Sequence, residues 1–379
     1  MWFLQTETLL IISAACAISA LLRFFAEKTG AGLKLVPVLS LTSLAALFLI
    51  SKRLFFFYVV YIAAGLVMCS ALKRIKSGRK TAFVFFCILS AAPLVVSRLL
   101  PAEISGLLVL TGLAFNMLKA IDALYYVYYT GEGIDAVYYS NFMLFLPEFI
   151  AGPVFRYRDY VNSLNRTAIL DSESLAYVVK RLIRGYFKKV VISVLLLQIF
   201  NIIRENHDGT LYSLSLIVLS YLILYTDLSG YSDIAIALGR VCGIVVPDNF
   251  KKPWTAPSFS IFWRSWHVTV SDFIREHVYI VISGKKLSKW HSGIIALCTM
   301  ILMLVWHEFS VLYIIAGLYN GILLMLENFF GKTTFNRRSA KKPVYIARCV
   351  FVNFMFAVNT LIFTLPADEI VRVLTGLFR

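Results

Sequence analysis

The chain alternates long apolar runs with short basic stretches, and that alternation leaves few folds open. Inside hydrocarbon no water is present to pair backbone N–H and C=O groups, so a crossing segment must be a helix or part of a closed barrel. A crossing helix needs about 20 mostly apolar residues. Residues 9–25, 35–50, 54–72, 82–100 and 104–118 supply such runs in the first half. Residues 190–203, 211–228, 294–306, 311–329 and 349–365 supply them in the second. Composition agrees: 59% of the residues are hydrophobic and 15% are charged, against about a quarter charged in soluble domains. The pattern predicts an all-α polytopic membrane protein with about 9–11 spanning helices, plus re-entrant and interfacial helices. The first run lacks the basic flank and small-residue cleavage site of a signal peptide, so it is expected to remain as a helix.

Charge gives the expected orientation. The formal net charge is +16, but the cations cluster in loops. Residues 73–80 carry five of them and residues 332–348 carry six. Such loops face the cytoplasm and its anionic headgroups, which puts both ends of the chain outside. No basic domain stands apart from the apolar runs, so nucleic-acid binding is not expected. The six cysteines are scattered without a C-x-x-C pair, and neither a disulfide framework nor a metal site is indicated.

The middle is less regular. Residues 119–139 hold Asp122, Glu132 and Asp135 and are expected to form a helix end followed by a loop. Residues 141–153 are apolar but interrupted by Pro147-Glu148 and Ala151-Gly152-Pro153, the pattern of a re-entrant or broken helix. In residues 174–189, Lys180, Arg184 and Lys188 share one helical face. That segment reads as an amphipathic helix on the membrane surface, or in its last turn as the basic start of the next span. A polar loop with His207 follows the 190–203 run. Residues 251–289 contain no uninterrupted span and predict short interfacial or re-entrant helices. No tandem repeat is present. One membrane domain is expected over 1–379, with N-terminal helices to 118, a core at 119–330, and a basic loop and last helix at 331–379.

Two histidines follow tryptophans, and titratable groups at membrane depth are functional candidates by default. His267 lies in Phe262-Trp263-Arg264-Ser265-Trp266-His267, where a cation and indoles suit a polar ligand at the interface. An aromatic belt with an incidental histidine fits the same residues. His307 follows Trp306 at the end of an apolar run, which places it inside the bilayer or at a cavity mouth. A neutral imidazole there can take a proton from an attacking hydroxyl and return it to a leaving group. A packing hydrogen bond between helices is the plain alternative. Asp227, Asp233 and His307 could also form the relay of a transporter or flippase. There is no H-E-x-x-H, P-loop or G-x-S-x-G pattern.

Ordered blocks then extend across residues 112–326. They are Phe149–Arg156, Arg184–Val190, Asp227–Ile236, Pro247–Trp254, Phe262–Ser271, Trp306-His307 and Gly317–Gly321. In these blocks the chain resembles the membrane-bound O-acyltransferase family, in its bacterial branch of alginate O-acetylation and D-alanyl-teichoic-acid transfer. The resemblance implies helices around a central tunnel, with His307 as the catalytic base and His267 in the same funnel. It puts Trp266, Trp306, Asn249, Arg264, Asp233 and Tyr231 on the substrate side, with Trp266 and Asn249 as candidate oxyanion donors. It implies no tightly bound cofactor. The donor would be an acyl thioester, acetyl-CoA or an acyl-carrier phosphopantetheine, reaching a basic cytoplasmic surface. The acceptor would be a glycan or a partner transferase subunit outside a bacterial cytoplasmic membrane. Acetyl is the expected group, and D-alanyl transfer to teichoic acid is the alternative. The chain departs from the family pattern at Glu308, Asn320, Arg264-Ser265 and residues 359–366, which bears on the substrate.

Overall fold

The computed structural model describes residues 6–29, 35–99, 112–164, 171–206, 209–283, 288–335 and 341–379, and every regular element among them is helical. The first helices are α1 (Thr6–Thr29), α2 (Leu35–Ile50), α3 (Lys52–Arg74), α4 (Arg79–Leu99), α5 (Leu113–Thr130) and α6 (Ala136–Leu144). Next come α7 (Tyr157–Leu164), α8 (Ser172–Tyr186), α9 (Ser193–Asn206) and the long α10 (Thr210–Val241). Short helices α11 (Phe259–Trp263), α12 (Val268–Ile274) and α13 (Ile280–Ser283) follow. The chain closes with α14 (Lys289–His307), α15 (Val311–Phe329), α16 (Lys342–Thr360) and α17 (Ala367–Gly376). Wide π turns, Phe187–Ile192 and Arg275–Tyr279, join α8 to α9 and α12 to α13.

Among the described residues, seven helical stretches are long and apolar enough to cross a membrane: Lys52–Arg74, Arg79–Leu99, Ser172–Glu205, Thr210–Val241, Trp290–His307, Val311–Phe329 and Lys342–Phe363. Shorter apolar helices cover Leu10–Leu22 and Val36–Ile50. This is the expected all-α polytopic architecture, and residues 251–283 are the short helices foreseen there. Most of the 104–118 run, His207 and residues 284–287 lie outside the described residues.

The described residues fall into two units, Met1–Ile183 with Asp233–Pro247, and Arg184–Ser232 with Asp248–Arg379. These divisions cut helices α8 and α10.

In the first unit, polar side chains inside apolar helices find partners far away in sequence. Ser19 on α1 meets Thr42 on α2 at 2.8 Å. Residues 119–139 hold the expected helix end and loop: α5 runs to Thr130, and after a brief loop α6 starts behind the Asp135 cap, whose carboxylate accepts the Val137 and Tyr138 N–H groups. The charges that interrupt the apolar run are satisfied inside the protein. Lys119 Nζ donates to the Phe142 carbonyl at 3.1 Å, and Asp122 accepts the Tyr157 N–H at 2.7 Å. The broken segment after α6 is held by Asn116, whose amide donates to the Phe149 carbonyl at 3.2 Å. Gly112 (φ 83°) is required beside it, since a Cβ there would lie 2.3 Å from that same carbonyl oxygen.

The second unit is built on close helix approaches. Glycines at a spacing of four let backbones touch. A Cβ on Gly317 of α15 would sit 2.6 Å from the Ile301 Cα on α14, and one on Gly321 would sit 2.8 Å from the Leu297 Cα. Of the two readings of residues 174–189, the basic start of the next span fits, since α8 continues through the π turn into α9. Part of its basic side is consumed locally, because half-buried Lys188 donates to Ser229 at 3.1 Å and buried Lys189 pairs with Asp227 at 2.5 Å. Gly230 permits this approach, since a Cβ there would meet the Gly185 carbonyl oxygen and the Lys189 nitrogen at 2.9 Å.

Breaking a buried ion pair from one side leaves an uncompensated charge and costs about 3–5 kcal/mol, whereas replacing both partners by apolar groups costs far less. Lys189→Met and Asp227→Leu should each lower the thermal midpoint in detergent, and the double variant should recover most of the loss. Simple addition of the two losses would contradict the pairing.

Candidate active site

The site starts from a backbone clasp in the second unit. The Lys251 N–H donates to the Ser265 carbonyl at 2.8 Å, and the Val268 N–H donates to the Asn249 carbonyl at 2.9 Å. Residues 249–251 are thereby pinned against residues 265–268. The two non-glycine residues with positive φ among those described, Lys252 (φ 53°) and His267 (φ 44°), sit at the exits of this clasp. A left-handed non-glycine residue costs about 1–3 kcal/mol and persists only where its surroundings over-determine it. His267 uses that conformation as the N-cap of α12, so the backbone turns sharply at the histidine.

Side chains from other helices hold the clasp in place. The Glu327 carboxylate on α15 accepts the Phe259 and Ser260 N–H groups at 2.8 and 2.7 Å, which satisfies the first donors of α11. From α16, Tyr345 donates to the Thr255 carbonyl at 2.7 Å, Arg348 to Pro257 at 3.1 Å, and Asn353 to Pro253 at 3.4 Å. Trp266 is buried in an aromatic box of Tyr221, Tyr225, Phe250, Phe262 and Phe356, with ring centroids between 4.7 and 6.1 Å away.

His307 is the last residue of α14, half-buried, with Glu308 exposed at the C-cap. Its ring lies 4.7 Å from Trp306 and 5.8 Å from Phe363, centroid to centroid. Phe363 also meets Tyr313 at 5.7 Å. The carbonyls ending α14 carry partial negative charge.

Helix α16 and the 3-10 turn that ends it (Leu361–Phe363) connect these parts. Tyr345 and Arg348 hold residues 255–257, Phe356 touches Trp266, and Phe363 touches His307. Phe356 and Phe363 lie on one side of that rod, about 12 Å apart along it. Tyr345 to Phe363 spans about 28 Å, close to the hydrocarbon thickness of a bilayer. Lys341 and Lys342 are exposed at the start of the rod, whereas Lys251, Lys252 and Arg264 are exposed on the clasp, whose Pro253 and Trp263 meet Asn353 and Phe356 farther along it. His307 lies at its far end.

Of the candidate residues, His267, Trp266, Asn249, Arg264, Trp306, His307 and Tyr231 fall in the second unit. Tyr231 is buried beneath the Lys189 ammonium, 5.8 Å from its ring centroid. Asp233 belongs to the first unit and pairs with Arg181 at 2.9 Å. With Asp227 held by Lys189, both acids of the relay reading are engaged in ion pairs. Among the described residues no group of three or more His, Cys, Asp or Glu gathers to hold a metal. Glu327, Phe356 and Phe363 were missed from sequence. An acid ending an apolar helix was the available signal for Glu327, and a spacing of seven was the signal for the phenylalanines.

Burial pushes the His267 imidazole down to about 4 from an ordinary value of 6.5, opposed in part by its own backbone. At neutral pH it is an uncharged ring. The unfolded chain takes up this proton near pH 6.5 but the folded chain only near 4, so stability is complete above about 6.5 and declines as pH falls through that window. The loss amounts to roughly 3 kcal/mol by pH 4. His267→Gln should flatten the fall in thermal midpoint between pH 7 and 4.5; parallel curves for the two proteins would contradict this.

Three relatives show how far the geometry extends. The probable alginate O-acetylase AlgI of Pseudomonas putida is 32% identical over 238 residues, 62% of this chain and 49% of that protein. The teichoic acid D-alanyltransferase of Streptococcus thermophilus is 28% identical over 305 residues, covering 72% of this chain and 70% of that protein. The peptidoglycan O-acetyltransferase of Helicobacter pylori is 30% identical over 239 residues, covering 57% and 42%. The chain spans about half the length of the alginate relatives it matches. The model of the MBOAT, membrane-bound O-acyltransferase family matches residues 49–366, so the segment that carries both histidines, the clasp and the α16 rod lies within it. The chain is a multi-pass membrane protein and belongs to the membrane-bound O-acyltransferase family.

Proposed function

We propose that the chain is an O-acyltransferase that moves a small acyl group, acetyl in the first instance, from a thioester donor to a hydroxyl of an exported cell-envelope polymer or of a partner subunit that completes the transfer. The observation that carries this reading is the order of groups along α16: exposed cations at one end, Trp266 and His267 between, and His307 at the other. By the positive-inside rule the cationic end faces the cytoplasm of a bacterial cell, which places both ends of the chain outside. There the cations suit the phosphates of coenzyme A or of a carrier-bound phosphopantetheine.

His307 acts as general base. Its imidazole takes the proton of the acceptor hydroxyl as that oxygen attacks the thioester carbonyl. The new C–O bond forms, the C–S bond breaks, and the imidazolium returns the proton to the departing thiolate. The carbonyls ending α14 stabilise the transient imidazolium. His267 stays neutral and lines the donor side with Trp266. The names of the relatives, which include alginate, peptidoglycan and teichoic-acid transferases, support a polymer acceptor.

D-alanyl transfer to teichoic acid is the second reading. The D-alanyltransferase relative shares the larger part of both chains, and the exposed Glu308 beside His307 offers a carboxylate to the ammonium of an aminoacyl group.

Mass spectrometry of envelope polymers from cells with and without the protein names acyl group and acceptor together. His307→Ala should cut acylation by at least about 100-fold with unchanged membrane insertion. Full acylation by that variant would overturn the assignment.

A further inference from the structure

We infer that Asn249 is the positioning residue for His267, acting through the backbone of α12 rather than by contact with substrate. The inference rests on the reading of His267 as part of the acyl-transfer site.

Asn249 is almost fully buried, and its polar atoms reach the first turn of α12 and the middle of α10. Its carbonyl accepts the Val268 N–H at 2.9 Å. Its side-chain oxygen accepts the Thr269 hydroxyl at 2.9 Å and the Thr269 N–H at 3.3 Å. Its amide nitrogen donates to Ser232 Oγ at 3.3 Å, and that hydroxyl donates in turn to the Leu228 carbonyl at 2.9 Å. The last link fixes which way the amide faces, because Ser232 is left with acceptor capacity toward Asn249.

Both residues that follow His267 are therefore held by Asn249 and, through Ser232, anchored to α10. The N–H groups of residues 268 and 269 belong to the unsatisfied first turn of a helix. Supplying acceptors to them fixes where that turn begins. The residue before it must then reverse direction, and His267 does so at φ 44° and ψ 49°. Asn249→Ala removes the side-chain acceptor of the Thr269 N–H and hydroxyl and leaves the Asn249 carbonyl on Val268, so it loosens the start of α12 and the positive φ that this start asks of His267. Relaxation of φ would swing the imidazole away from its place beside Phe250, 6.3 Å between ring centroids. Misplacement by about 1 Å costs on the order of 100-fold in a positioned reaction.

The test compares Asn249→Ala, Thr269→Val and His267→Ala, with the Asn249→Ala/His267→Ala double variant, in membranes or detergent with a saturating thioester donor. Asn249→Ala should lower kcat by about tenfold or more while KM moves by less than about twofold. Thr269→Val removes only the hydroxyl donor and should shift kcat in the same direction by a smaller factor. In the His267→Ala background, Asn249→Ala should add no further loss. Amide hydrogen exchange at residues 268–270 should rise in Asn249→Ala. An additional loss in the double variant would overturn the proposal, because it would show that Asn249 meets the substrate itself. Unchanged kcat and exchange in Asn249→Ala, with His267→Ala inactive, would also overturn it. Full activity in His267→Ala would instead remove the reading of His267 on which the proposal stands.

Discussion

The arrangement depends on satisfying backbone polar groups in a segment that cannot satisfy its own. Residues 249–274 turn repeatedly and form only short helices, which leaves donors and acceptors with no intrahelical partner. Side chains from longer helices supply what is missing. Glu327 takes two N–H groups at the start of α11, while Tyr345, Arg348 and Asn353 reach carbonyls between Pro253 and Pro257. Each bond answers a local deficit, and together they fix the segment against α15 and α16. A charged acceptor such as Glu327 contributes more than a neutral one. It also sits where the partial positive charge of a helix start favours an anion.

Fixing that segment also fixes the chemistry. The clasp carries Trp266 into a box of aromatic rings, and Phe356 in that box belongs to the same rod whose end meets His307. Two histidines forty residues apart in sequence are thereby referred to one helix. Its length matches the membrane thickness, so charge at the start and imidazole at the end assign the faces different tasks. In the proposed reading, the cationic face receives a phosphorylated donor and the other face presents His307 to a hydroxyl. The neutral state of His267, imposed by burial, fits a wall of the donor path better than a proton carrier.

The apolar runs announced the long helices because in hydrocarbon a backbone has no other way to pair. Where polar residues interrupted a run, the sequence did not show what satisfies them. Lys119 and Asp122 in α5 are met by partners in residues 142 and 157. Lys188 and Lys189 are met by Ser229 and Asp227. In each case the deciding partner lies more than twenty residues away, where no local pattern shows it. The candidate residues around Trp266, His267 and His307 were legible as types and in order. Their relation was not, because it passes through Phe356 and Phe363, which in sequence are two phenylalanines among many. Asn249 was visible as a polar residue in a motif, and only the hydrogen bonds show that it serves α12. Asp233 was legible as a site candidate, and its ion pair with Arg181 in the first unit was not.

The measurement that bears most directly on this account is transfer by the purified protein in sealed vesicles of known orientation. The labelled thioester is supplied on one side only and a hydroxyl acceptor on the other. The account predicts that label reaches the acceptor when the donor meets the face bearing Lys341 and Lys342, and that reversing the two sides abolishes transfer. Transfer that requires donor and acceptor on the same side would contradict it.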